Sequence, residues 1–157
     1  MVTKKQNGEM YIMVLKLLPD QIVKTWEVIK FSATSADEVD TKYLPDYLNE
    51  LLNALLNEKA QCWIRLDENR MLNWIAITRL MIDKITGEKY CNIQCQYSFK
   101  KAEDEDWAIT FMTVKKYAEK EKCSYMSGDT RNKRLMEIVE RFGCIEHTRN
   151  FRINIGD

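Results

Sequence analysis

Glycine is scarce in this chain, five in 157 residues, and none of them falls in a P-loop or a G-x-G-x-x-G pattern. Neither of those glycine-rich phosphate cradles is therefore present. Histidine is scarcer still. With His147 alone, no His-based metal site and no Ser-His-Asp set can be drawn around a second imidazole. The five cysteines, Cys62, Cys91, Cys95, Cys123 and Cys144, are odd in number and contain no C-x-x-C pair, which argues against a disulfide framework and a zinc knuckle. A reducing compartment follows. Long apolar runs are lacking too: residues 74–82 are interrupted by Arg79 and too short for a bilayer, and the basic N-terminus has no apolar stretch behind it. The expectation is a soluble, cytoplasmic protein with no membrane partner. Finally there is no charge excess, with 24 Lys plus Arg against 24 Asp plus Glu, so bulk electrostatics draws neither nucleic acid nor anionic lipid. Arg131, Lys133 and Arg134 cluster without an interleaved aromatic platform, which suits a partner's acidic surface better than nucleic acid.

What is present is a change of period along a chain of one-domain length, read as a single domain over residues 1–157. Residues 11–18 are an apolar run with β-branched and aromatic members, stopped by Pro19 and Asp20, and predict a strand. Ile22, Trp26 and Ile29 recur at helical spacing, and the polar stretch of residues 32–41 reads as a connection. A second helix follows over residues 43–59, where Tyr47, Leu48, Leu51, Leu52, Leu55 and Leu56 make a broad apolar face behind Pro45. Three strands then read as a meander, over residues 62–66, 71–82 and 89–99. In the last of these Cys91, Ile93, Cys95, Tyr97 and Phe99 alternate with Asn92, Gln94, Gln96 and Ser98, which predicts one apolar face and one face of amides, solvated or lining a cleft. Residues 103–122 predict a helix with acids in its first turn and lysines in its last. Residues 123–128 predict a short strand, a further helix ends at Gly143, and residues 144–155 return to strand character, with a bend allowed within them.

That order, with the segment TRNKRLMEIVERFGCIEHTRNFRI, resembles the GNAT superfamily of N-acetyltransferases. Asn132 matches the family's Asn near the start of its last helix and Gly143 the Gly at its end, while Cys144 stands where Phe is usual. The resemblance implies an α/β GNAT-like fold. Its central sheet would be mixed but mostly antiparallel, of six to seven strands with four helices, and its fourth and fifth strands, residues 89–99 and 123–128, would splay apart. It further implies acetyl-CoA in that notch, with its pyrophosphate on the start of the helix at residue 103. Tyr97, Lys100, Lys101 and Asn132 are the residues it offers for coenzyme contacts, and Glu88, Tyr125 and Ser127 for proton transfer.

Two features of the stretch YSFKKAEDEDW work against that grip. It contains no glycine, so side chains shield the amides that would face a pyrophosphate. Its acids, Glu103, Asp104, Glu105 and Asp106, outnumber Lys100 and Lys101, and two excess charges roughly 8 Å from a doubly charged group cost on the order of 2 kcal/mol in water before salt screening. The same acids are explained without a ligand as caps that offset the helix dipole. Tyr125 as half-buried filler, Ser127 as a turn residue and Asn132 as a helix-start residue are likewise ordinary readings. Two functions stay open: an acetyl-CoA-dependent N-acyltransferase acting on a small-molecule or protein amine, or a non-catalytic GNAT-fold protein that binds a protein partner. The C-terminal segment is similar to degenerate members carried by bacteriophages, including virion proteins, which adds a virion location to the second. Exposed strand edges allow a homodimer in either.

Overall fold

A computed structural model of the chain describes residues 2–4 and 11–155; the reading of residues 1–10 as a leaderless basic start falls largely outside them. Six strands form one sheet in chain order: β1 (Val2–Lys4), β2 (Tyr11–Lys16), β3 (Ala60–Leu66), β4 (Leu72–Ile82), β5 (Lys89–Ser98) and β6 (Tyr125–Gly128). Neighbours run antiparallel from β1 to β5, and β5 and β6 run parallel. Short turns suffice for the antiparallel meander; the parallel pair needs a crossover, which α4 (Asp104–Lys120) supplies.

Strand alternation sorts the core into two layers. Cys62, Ile75, Ile77 and Cys95 project toward α1 (Pro19–Lys24), α2 (Trp26–Asp37) and α3 (Leu44–Leu56), where they meet Ile22, Ile29, Ala33, Leu51 and Leu55. Val14, Trp63, Trp74, Ala76 and Cys91 project the other way, against Val114 and Ala118 of α4. The last helix is α5 (Lys133–Glu140), and just past its end Phe142 stacks on Phe111 of α4 at 5.4 Å.

The structure departs from the sequence expectation in four places. The first predicted helix is two, which makes five α-helices, because the Thr25 hydroxyl bonds back to the Gln21 carbonyl at 2.8 Å and its backbone (φ −110°, ψ 12°) leaves the helix there. The predicted connection from residue 32 is helical as far as Asp37: its small residues are buried, Ser32 and Ala33 packing against the sheet, so polarity alone misread it. The third change lies in β5. Ile77 pairs with Cys95 but Thr78 with Ile93, so Gln94 is an extra residue, a β-bulge. Past a bulge the alternation changes phase. Cys91 therefore belongs to the α4-side layer and Cys95 to the α2-side layer, and the predicted single row of amides is divided between the two faces. Lastly, no strand is described over residues 144–155.

The parting expected of the last two strands is visible only as an early end of their pairing: all four residues of β6 pair with β5, and β6 stops at Gly128. Pairing between β5 and β6 covers Tyr90 to Ile93 against Tyr125 to Gly128 and then stops, leaving the half of β5 from Gln94 to Ser98 without a neighbour on that side. Gly128 sits at the fork, where an added Cβ would lie 3.3 Å from both the Cβ and the carbonyl of Ile93.

Candidate functional site

The start of α4, beside the fork, is where an anion would meet free amides and a positive dipole end. Here the chain supplies its own anions. Asp106 accepts the Glu103 N–H at 3.2 Å, and the Asp106 and Trp107 amides turn to the Glu103 carbonyl at 3.1 and 3.2 Å. Asp104 pairs with Arg141, just past the end of α5, which draws that end over the helix mouth. Ala102 is buried where the preceding loop closes down. The residues present do not fit a diphosphate: no glycine opens the loop, and carboxylates already stand at the positive end of the helix.

Behind this turn lies a buried cation that sequence reasoning missed. Arg65 of β3 is 0% exposed. Its Nε donates to Asn73 Oδ1 at 2.8 Å and one terminal nitrogen to Thr110 Oγ1 at 2.9 Å, while the guanidinium lies 5.7 Å from the Trp74 ring and 5.2 Å from the Trp107 ring. Its other terminal nitrogen has no hydrogen-bond partner among the described residues. Burial pulls the guanidinium below its ordinary pKa, and the neighbouring Asp106 works in the opposite direction. Asp106 is thus engaged with Glu103 on one side and with the field of Arg65 on the other.

The residues proposed for coenzyme contact take other roles. Lys100 reaches Asp67 in the β3–β4 turn at 3.4 Å, and Lys101 is exposed. Tyr97 packs edge-on against Phe31 at 5.5 Å and Phe99 at 5.1 Å on the α2 side of the sheet. Asn132 is the N-cap of α5, accepting the Arg134 and Leu135 amides at 3.0 and 3.3 Å. Of the proton-transfer candidates, Ser127 lies nearest the fork, donating to Asn92 Oδ1 at 3.1 Å. Tyr125 stacks on Tyr90 at 4.9 Å and donates to Asp83 in the β4–β5 turn. Glu88 closes that same turn. At about 3.3 Å per residue, Glu88 and Tyr97 stand roughly 30 Å apart along the strand, so these two do not share one centre.

A tighter constellation lies on the α2 side of the bulge. Asp37, at the end of α2, accepts the Tyr47 hydroxyl at 2.6 Å and the Gln94 amide at 3.2 Å, and Gln94 in turn accepts Arg79 Nε at 2.6 Å. Arg79 closes the chain with a two-pronged bond to Glu50 at 2.9 and 2.7 Å. Burial first, then the bond to Asp37, pushes the Tyr47 phenol above its ordinary pKa, so it remains a donor. The sequence offered the amides of β5 as a signal, but their partner sat in the stretch read as a connection. The space between α2 and β5, lined by Ser32, Cys95 and Tyr97, does not admit a water molecule.

No protein-family model matches the chain, and no curated protein sequence does. Solved structures do match in fold. A probable acetyltransferase superposes with a TM-score of 0.69 at 13% identity, over 92% of this chain and 99% of that one. A GNAT family acetyltransferase from Staphylococcus aureus gives 0.62 at 12%, over 92% and 98%. A ribosomal-protein-alanine N-acetyltransferase from Brucella melitensis biovar Abortus gives 0.64 at 11%, over 92% and 99%. The chain has the GNAT acetyltransferase fold, α/β with a mixed sheet. Identities this low establish the fold alone.

Proposed function

We propose that this chain keeps the acetyltransferase scaffold but has a degenerate coenzyme grip, and that it works as a non-catalytic binding or assembly protein for a protein partner. The observation that carries this reading is the start of α4, where Asp106 takes the Glu103 amide and Asp104 is bound to Arg141. We further propose a location in the cytoplasm, or in the virion if the gene is carried by a phage; among the described residues no helix is long and apolar enough to cross a membrane.

One observation favours the second reading, an acyl-CoA-dependent N-acyltransferase. The fork after Ile93 and the bulge at Gln94 leave an open strand edge beside a carboxylate, Asp37, that can pair with an ammonium group. A thermal-shift titration with acetyl-CoA separates the two. A ligand at a hundred times its dissociation constant stabilises a fold by about 2.7 kcal/mol, roughly 5–10 °C at this chain length. The binding-protein reading expects no shift at millimolar coenzyme. A saturable shift accompanied by turnover on a panel of amines overturns it.

A further inference from the structure

Beyond Gly128, where β6 ends, residues 94–98 of β5 border β4 on one side, and among the described residues no other backbone segment bonds to them on the other. At about 3.3 Å per residue this leaves about 16 Å of bare edge, the length of a short strand. Its unpaired N–H and C=O groups are a template for an extended chain. The two faces beside that edge differ in kind. Tyr97 points to the α2 side, where it lies edge-on to Phe31 at 5.5 Å and Phe99 at 5.1 Å, and Phe31 stacks on Phe99 at 6.4 Å. Phe31 is 55% exposed and Phe99 39%, so an aromatic cluster stands partly in solvent. The other face is acidic. Gln96 points to the α4 side, accepting Trp74 Nε1 at 3.0 Å, and Trp107, one turn into α4, lies edge-on to Trp74, the ladder partner of Ser98. Glu103, Asp104 and Asp106 therefore stand on the α4 side at the Ser98 end of the edge. The chain itself shows what they attract: Arg141 pairs with Asp104 although both side chains are more than half exposed.

We infer that residues 94–98 take up an extended segment of a different protein, with apolar or aromatic side chains toward Phe31, Tyr97 and Phe99 and basic ones toward the start of α4. The period of a strand imposes that division, because successive side chains of an added strand point to opposite faces of the sheet. Charge fixes the sign. The carboxylates that make this helix start a poor seat for a diphosphate are complementary to lysine and arginine, and a partner's cation takes the place of Arg141 on Asp104. At the other end of the edge Arg131 is already held by Glu38 at 3.4 Å, so the partner's cations belong at the Ser98 end. The exposed rings supply the apolar anchor that such an interface needs. The inference deepens the binding-protein reading above and rests on it, naming the surface and the partner's chemistry. Coenzyme titration tests that reading and peptide titration tests this one, so either can fail alone.

Fluorescence anisotropy with the full chain and a labelled, end-capped peptide of sequence KFKVKFK tests it. The expected result is saturable binding below millimolar concentration, at least tenfold weaker for EFEVEFE, which reverses the charge, and for KKFVFKK, which keeps the composition and breaks the alternation. Phe31→Ser/Phe99→Ser weakens binding of KFKVKFK at least tenfold, and Asp104→Asn weakens it severalfold. Arg141→Gln acts in the opposite direction and tightens it severalfold by freeing Asp104. All four side chains are exposed, and unchanged far-ultraviolet dichroism verifies that the variants fold. Hydrogen exchange supplies the second measurement: the bound peptide protects outward-facing amides among residues 94–98, and methylating alternate amide nitrogens of the peptide abolishes both effects. Absence of saturable binding at millimolar peptide overturns the inference, as do equal affinities for the three peptides, indifference to the two phenylalanine substitutions, or protection confined to other residues. Self-association of the chain that the same phenylalanine substitutions dissolve also overturns it, because the edge is then taken by a second copy.

Discussion

Arg65 shows how much one residue can decide. Its guanidinium fills the space between Trp74 and Trp107 and satisfies Asn73 and Thr110, so it ties β3, β4 and α4 together at a point no solvent reaches. Arg65→Ala removes the filler and leaves both polar partners unpaired; cavity and desolvation together predict a loss of about 3 kcal/mol or more. Arg65→Met keeps most of the volume and is expected to cost less than half of that. Urea unfolding followed by tryptophan fluorescence measures both, and equal costs for the two variants would show that burial of the cation, and not packing, is what matters there. Nothing local in the sequence announces this arginine. It sits at an ordinary position in an alternating strand, and its partners are 8 and 45 residues away. The bulge at Gln94 was hidden for a related reason: alternation predicts faces only while the register holds, and an inserted residue shows itself only against its partner strand.

Among the elements, the two meander turns carry the pH dependence. Asp67 accepts the Asn69 and Met71 amides at 3.0 and 2.9 Å, and Asp83 the Ile85 and Thr86 amides at 2.8 and 2.9 Å. These backbone bonds hold both carboxyls below the usual carboxylate range. Because each titrates lower in the folded chain than in the unfolded one, its stabilisation is complete above the unfolded value of about 3.9 and is lost as pH falls through the folded one. Asp67→Asn/Asp83→Asn is therefore expected to lower the melting temperature at pH 7 and to flatten its decline between pH 5 and pH 2. A decline as steep in the variant as in the native protein would locate the acid sensitivity elsewhere. Turns of this kind were legible, since DENR and the stretch before Gly87 carry turn chemistry in plain sight. The amphipathic α3 and α4 were legible as well. The break at Thr25 was not, because a hydroxyl bonding back to a carbonyl depends on a rotamer choice that periodicity does not record.

For the whole molecule, the sheet is unequal from centre to edge, and this sets the order in which it opens. β3 and β4 pair with strands on both sides and are covered by α1 to α3 on one face and α4 on the other, so their amides can exchange only with global unfolding. β6 is held by four pairs to one neighbour, and α5 by Ile138, its one buried residue, with Phe142 on Phe111 just beyond its end. The fold class could be read from the alternation of periods, but this inequality could not: it depends on the shortness of β6, all four residues of which pair with β5 alone. It implies a discrete opening of residues 125–143 below the global free energy. Hydrogen exchange at native pH is expected to label residues 125–140 at least tenfold faster than 60–66 and 72–82. Uniform protection across the sheet would mean that α5 and β6 are integral to the global fold.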